Sequence, residues 1–72
     1  MKIIFSKHSK ERLISRGISQ KKIREAINKP SEIVESYKNR KLFQKKIHGK
    51  ILEVVTVMES NKIVVITAYL LK

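Results

Sequence analysis

Three side chains near the start of the chain have the types and the spacing to hold a phosphate. His8, Arg12 and Arg16 follow one another at four-residue steps in "HSKERLISRG". Because a helix turns about 100° per residue, residues four apart lie along one stripe of its surface. Arginine presents a bidentate fork to a phosphate, and histidine exchanges a proton near neutral pH. The spacing predicts a phosphate-binding stripe; charged residues that merely face solvent are the alternative.

A second group of basic residues lies between residues 38 and 50, in "KNRKLFQKKIHGK", which contains no acid. Its Lys and Arg residues are Lys38, Arg40, Lys41, Lys45, Lys46 and Lys50. Tyr37 and Phe43 lie in or beside this block. Basic side chains contact phosphates and aromatic rings stack on bases, so the block predicts a nucleic-acid-binding surface. Lysines that keep an edge strand from pairing with another chain are the alternative.

The last candidate is a tyrosine near the end of the chain, in "TAYLL". Strand alternation places Thr67 and Tyr69 on one face and Ala68 and Leu70 on the other. A hydroxyl that emerges at the sheet surface can give a hydrogen bond or a proton to a phosphate oxygen. The alternative is that Tyr69 packs its ring and keeps only its tip in water.

The chain carries a large excess of positive charge. The 17 Lys and Arg stand against 6 Asp and Glu, which gives a formal net charge of +11 on 72 residues. Such an excess opposes compaction through self-repulsion, so an anionic partner is expected to compensate it. Nucleic acid is the first expectation, because each neutralised phosphate releases counterions. An anionic membrane surface and an acidic protein are the other two interpretations.

Several classes of chemistry have no support in the sequence. Without Cys there is neither a disulfide nor a thiolate nucleophile. With six scattered Glu, no Asp and two His, the chain offers no carboxylate cluster for magnesium or calcium and few ligands for zinc. The longest apolar runs fall far short of a membrane-spanning helix. We therefore expect no metal, no cofactor and no membrane contact, and a cytoplasmic location.

Periodicity and capping residues predict two helices in the first half of the chain. The first begins at Ser6 or Ser9, ends at Gly17 and is expected to turn Leu13 and Ile14 inward. The second occupies "SQKKIREAIN" and stops before the proline that follows it. Together they form a pair of helices whose apolar faces need a sheet to cover them.

The second half of the chain predicts strands. Four segments are rich in β-branched and aromatic residues, namely "EIVESYK", "KLFQKKIH", "ILEVVTVME" and "KIVVITAYLL". The breaks between them have hairpin length, which favours an antiparallel meander. Residues 2–5, "KIIF", predict either a short strand or a hydrophobic lead-in. The expectation is one α+β domain over residues 1–72, with two N-terminal helices packed on a four-stranded antiparallel β-meander.

The segments "SKHSKERLISRGIS", "IREAINKPSEIVE" and "IVVITAYL" together resemble a known family. In order and spacing they are similar to small bacterial and archaeal proteins grouped as domain of unknown function 4258. The resemblance implies a fold related to the RelE-like toxins and to the wider barnase, EndoU and colicin ribonuclease superfamily. In such proteins the RNA 2′-hydroxyl attacks the adjacent phosphate without a metal, and a general acid protonates the leaving oxygen. By position, it assigns catalysis to His8, Arg12, Arg16 and Tyr69.

The leading functional hypothesis is therefore a toxin-like, metal-independent endoribonuclease of the mRNA interferase type, acting on RNA, free or on the ribosome, and paired with an acidic antitoxin protein. Arg12 and Arg16 would stabilise the transition state, while Lys45 and Lys46 would steer the RNA. A non-catalytic basic module that binds nucleic acid is the alternative. A third hypothesis is an otherwise inert chain that docks an acidic partner.

Overall fold

The computed structural model describes residues 2–71, which form two helices and five strands. The helices are α1 (Lys7–Ser15) and α2 (Gln20–Asn28). The strands are β1 (Lys2–Phe5), β2 (Glu32–Glu35), β3 (Arg40–Ile47), β4 (Lys50–Glu59) and β5 (Lys62–Leu71). Among the described residues, no helix is long and apolar enough to cross a membrane.

Local sequence signals fix both ends of α1. The Ser6 side chain accepts a hydrogen bond from the Ser9 amide at 3.0 Å and so caps the first turn. At the other end, the amide of Gly17 donates to the Ile14 carbonyl at 3.0 Å and the amide of Ile18 donates to the Leu13 carbonyl at 2.9 Å. Gly17 adopts φ +68°, so this pair of bonds is a Schellman motif. The predicted glycine stop is confirmed, and Ser6 is the N-cap.

The predicted orientation of Ile14 is wrong. Its side chain is 79% exposed, whereas Leu13 is 1% exposed and lies in the core. Consecutive residues on a helix point about 100° apart, and the inward direction of α1 is already set by Leu13 and the buried Ser9. Two adjacent residues can share a buried face only on a broader interface than α1 has.

The strands form a five-stranded mixed sheet in the order β1-β5-β4-β3-β2. The prediction of a four-stranded antiparallel meander is therefore wrong. Residues 2–5 form β1, which pairs in parallel with β5 in the register Lys2 to Lys62 through Phe5 to Val65. The remaining neighbouring pairs are antiparallel. β1 is separated from β5 by both helices and three strands, so this pairing depends on the tertiary fold rather than on any local turn.

Both helices pack on the same face of the sheet. α1 contacts β5, and α2 contacts β3 and β4. The core that they enclose consists of Leu13, Ile18, Ile23, Ala26, Ile27, Phe43, Leu52, Val54, Ile63, Val65 and Ala68. The residues that alternate with these core positions along the strands lie on the opposite face, which no helix covers among residues 2–71.

An irregularity in β5 sets the orientation of its last residues. Val55 pairs with Thr67 and Thr56 pairs with Val65, which leaves Ile66 as an extra residue in β5. This β-bulge reverses the alternation, so that Val65 and Ala68 both face the helices although they are three positions apart. Consequently Thr67 and Tyr69 lie on the uncovered face.

Candidate functional site

The α1 stripe, defined as His8, Arg12 and Arg16, is present on the exposed surface of the helix. Within it, the Arg12 Nε donates a hydrogen bond to His8 Nε2 at 3.1 Å. In this bond His8 Nε2 is the acceptor. The first two members of the stripe thus form a pair, with the guanidinium of Arg12 held beside the imidazole.

Arg16 lies at the end of α1 and reaches the sheet. Its Nη1 donates to Thr67 Oγ1 at 2.7 Å and to the Ala68 carbonyl at 2.9 Å. β1 pairs with β5 only as far as Val65, so the described residues place no strand beside β5 beyond that point. Arg16 occupies this free edge. Only Nη1 takes part in these two bonds. The N–H groups of Nη2 and Nε can therefore donate hydrogen bonds to a phosphate.

Next to Arg16, three polar side chains form a row across the uncovered face. Gln44, Glu53 and Tyr69 are paired residues on β3, β4 and β5. Gln44 Nε2 donates to Glu53 Oε1 at 2.7 Å, and the Tyr69 hydroxyl donates to Glu53 Oε2. Glu53 is only 7% exposed. Both carboxylate oxygens of a buried acid are therefore hydrogen-bonded, and one of the bonds fixes the Tyr69 hydroxyl.

This arrangement raises the pKa of Tyr69 above its ordinary value. The hydrogen bond to Glu53 is the largest cause, followed by burial and by the negative charge of Glu53, while the positive charge of Arg16 acts in the opposite direction. Ionisation would place a phenolate against a carboxylate, which is unfavourable. Tyr69 is thus a hydrogen-bond donor at neutral pH, and Glu53 competes with any phosphate for its proton.

The structure brings some of the predicted catalytic residues together and leaves others apart. Arg16 is close enough to Tyr69 for its charge to affect that pKa, and His8 is bonded to Arg12. His8 and Arg16 are separated by about 12 Å along the helix axis, at 1.5 Å per residue. The candidate site is therefore an elongated strip with the histidine at one end and the tyrosine at the other.

Glu53, Gln44 and Thr67 belong to the site but are absent from the sequence-based prediction. A signal for Glu53 exists, because it is the one charged residue in the apolar run "ILEVVTV" of a central strand, where a charge must be paired. Thr67 gives no comparable signal. Among residues 2–71, no three His, Cys, Asp or Glu side chains are grouped so that they could hold a metal ion.

The basic block between residues 38 and 50 does not form one surface. Lys45 lies on the helix-covered face, where its Nζ donates to the Lys29 carbonyl at 3.2 Å and so caps α2. Lys46 lies on the other face. Arg40 and Lys46 are at opposite ends of β3, about 20 Å apart at 3.3 Å per residue.

The other members of the block also have distinct surroundings. Lys41 lies 3.8 Å from the Glu35 carboxylate. Lys38 occupies the β2–β3 turn with φ +59°, and its Nζ is 5.8 Å from the centre of the Tyr37 ring. Lys50 is exposed at the start of β4. Lys46 shares the uncovered face with the Gln44–Glu53–Tyr69 row, two residues beyond Gln44, and Lys50 lies at the same end of the sheet on the other face.

The sequence from residue 5 to residue 70 matches the family model described as domain of unknown function (DUF4258). The chain belongs to this DUF4258 family. The match includes the whole α1 stripe and the row that ends at Tyr69, so both lie within the DUF4258 domain. No curated protein and no solved structure matches the chain.

Proposed function

We propose that this DUF4258 protein is a metal-independent endoribonuclease, of the RelE-like toxin type. The observation that carries the proposal is the placement of Arg16: the Thr67 hydroxyl and the Ala68 carbonyl, at the free edge of β5, hold one guanidinium nitrogen and leave the others for a phosphate. A net charge of +11 supports a polyanionic substrate. An exposed histidine on the same helix, His8, supplies an imidazole that can accept a proton.

In the proposed reaction the RNA 2′-hydroxyl attacks the adjacent phosphorus atom and the bond from phosphorus to the 5′-oxygen breaks. The products are a 2′,3′-cyclic phosphate and a 5′-hydroxyl, so no water or metal is consumed. His8 removes the 2′-hydroxyl proton through Nε2, once the substrate hydroxyl replaces the Arg12 Nε–H as the hydrogen-bond partner of that atom. The scissile phosphate would lie midway along the strip, between Arg12 and Arg16, which stabilise the charge on its oxygens. Tyr69 protonates the leaving oxygen, and solvent then returns a proton to Tyr69 as His8 releases the one it took.

The positive charge of the protein also indicates which partners it would bind. Lys46 and Lys50, exposed at the same end of the sheet as Tyr69, would attract RNA toward the site. Self-repulsion in so basic a chain also favours an acidic protein that covers the same surface when the enzyme is inactive. We propose an antitoxin of this kind and a cytoplasmic location.

The test is cleavage of RNA in the presence of a metal chelator. The wild-type protein should yield fragments with 2′,3′-cyclic phosphate ends, and His8→Ala and Arg12→Ala should abolish them. Both side chains are exposed, so neither change should lower the unfolding temperature appreciably. Lys10→Ala, an exposed basic residue on the same helix outside the stripe, serves as the matched control. Cleavage that survives His8→Ala would contradict the assignment.

A second candidate function is a basic module that binds RNA without cleaving it. The observation that favours it is the bond between Tyr69 and Glu53, because the raised pKa of Tyr69 makes it a weak acid. Such a module would bind RNA with a steep dependence on salt and would give no cleavage, with or without ribosomes. Expression in a bacterial host separates the two: only the endoribonuclease would arrest growth and create new RNA ends.

A further inference from the structure

A cavity of about 250 Å³ opens beside the candidate site, on the helix-covered side of the sheet. Its apolar lining comes from Ile18, Ile47, Leu52 and Leu70. Its polar lining comes from Lys22, His48 and Lys50, and none of residues 2–71 contributes a carboxylate to it. The cavity thus combines an apolar floor with a rim that carries positive charge.

Two residues that line the cavity directly follow residues of the candidate site in the sequence. Gly17, which lines the cavity, follows Arg16, and Leu70, which also lines it, follows Tyr69. Tyr69 lies on the uncovered face and Leu70 on the opposite one, so the two regions lie on either side of the free edge of β5. Arg16 spans that edge.

We propose that this cavity binds one nucleobase of the RNA strand whose phosphate is held at Arg16. The apolar floor would take the face of the base, and Lys22 and Lys50 would contact the phosphate that follows. The strand would cross the free edge of β5, where no neighbouring strand obstructs it among residues 2–71. The proposal rests on the RNA-directed function above and adds to it the base site, on which a sequence preference would depend.

Charge and shape favour a nucleotide over other occupants. A ligand must be partly apolar to fill the floor and anionic to satisfy the rim. Nucleotides combine both properties in every unit of a strand. Leu70 is 49% exposed, so the floor is accessible from solvent.

The test uses a hexanucleotide with 2′-O-methyl groups, which lacks the hydroxyl needed for cleavage, and the same strand with abasic sites. Leu70→Ala should weaken binding of the strand with bases about fivefold, because it removes apolar surface that the base would cover. It should leave the abasic strand unaffected. Ile14→Ala, a truncation of an even more exposed apolar residue outside the cavity, should change neither affinity.

Three further measurements leave the cavity floor unchanged. When the wild-type protein is titrated with the 2′-O-methyl hexanucleotide, the NMR methyl resonances of Ile18 and Ile47 should shift and those of Ile14 should not. Free mononucleotides should shift the same methyls only at much higher concentration, because they lack the phosphate at Arg16. Lys50→Ala should reduce the slope of log affinity against log salt by about one, and Lys21→Ala, an exposed lysine outside the cavity, should not.

Equal binding of the two strands by the wild-type protein would overturn the base site, as would an acidic peptide that binds with the same dependence on Leu70. If Arg16→Ala still weakens binding in either case, the phosphate contact stands and only the base site fails. If neither strand binds, the proposed function fails and the base site fails with it.

Discussion

At the scale of single residues, the unusual feature is a buried acid in a strongly basic chain. Glu53 accepts hydrogen bonds from Gln44 and Tyr69 and makes no ion pair among the described residues. A buried carboxylate is costly unless its oxygens are hydrogen-bonded. The row Gln44–Glu53–Tyr69 satisfies both oxygens and fixes the tyrosine hydroxyl at the edge of the candidate site. Glu53 is therefore a positioning residue.

Replacement of Glu53 should change the titration of Tyr69. Glu53→Gln removes the carboxylate that raises the pKa of Tyr69, so that pKa should fall toward its ordinary value of about 10. The measurement is phenolate absorbance against pH in a Tyr37→Phe background, which leaves one tyrosine in the chain. Unchanged titration in Glu53→Gln would show that the carboxylate does not control the hydroxyl.

The same bond predicts how stability depends on alkaline pH. Because the pKa of Tyr69 is raised on folding, its contribution is fully present below the unfolded pKa of about 10 and is lost as pH rises through the folded value. Thermal unfolding followed over this range should show a decline that Tyr69→Phe reduces. Tyr37→Phe, at an exposed tyrosine, is the control and should leave the decline intact.

Thr67 should act on the site through Arg16. Thr67→Val preserves the shape of the side chain but removes the oxygen that accepts from Arg16 Nη1. We expect RNA binding to weaken by about tenfold, the equivalent of one hydrogen bond to a charged group. In an Arg16→Ala background the same substitution should have no effect, since its partner is absent. Full additivity of the two losses would contradict the coupling.

At the scale of elements, the end of α1 determines where Arg16 lies. The Schellman motif requires φ +68° at Gly17, and a β-carbon added there would meet no atom within 4 Å. Gly17→Ala should therefore cost only the backbone penalty, about 1–2 kcal/mol. Chemical denaturation measures this loss. Gly17→Asn should lose less, because asparagine tolerates the left-handed region. A loss greater than that penalty would point to a packing role for Gly17.

The sequence predicted those elements whose signals are local. Serine caps, the glycine stop and the β-branched segments are each read within a few residues, and they give the helices and strands β2 to β5. The parallel pairing of β1 with β5 is not local, since it joins Lys2 to Lys62, and four residues are too few to indicate a partner. The same limit applies to the site: Arg16 and Tyr69 could be named from their types, but their proximity depends on the bulge at Ile66 and the free edge beyond Val65.

At the scale of the whole molecule, one net charge of +11 should produce two opposite responses to salt. Added salt screens self-repulsion within the folded chain, because the Debye length falls to about 10 Å at 0.1 M. The unfolding temperature should therefore rise as salt is added from low ionic strength. RNA binding should weaken over the same range, since counterion release contributes less.

The two responses come from the same side chains and can be separated by substitution. Lys2→Ala and Lys62→Ala remove charge from a strand pair at the end of the sheet remote from Lys50. They should reduce the effect of salt on the unfolding temperature and leave the salt dependence of RNA binding nearly unchanged. Lys46→Ala and Lys50→Ala should reduce both. If all four substitutions reduced RNA binding equally, the overall charge of the protein would account for its attraction of RNA. The lysines at the end of the sheet beside Tyr69 would then make no specific contribution to RNA binding.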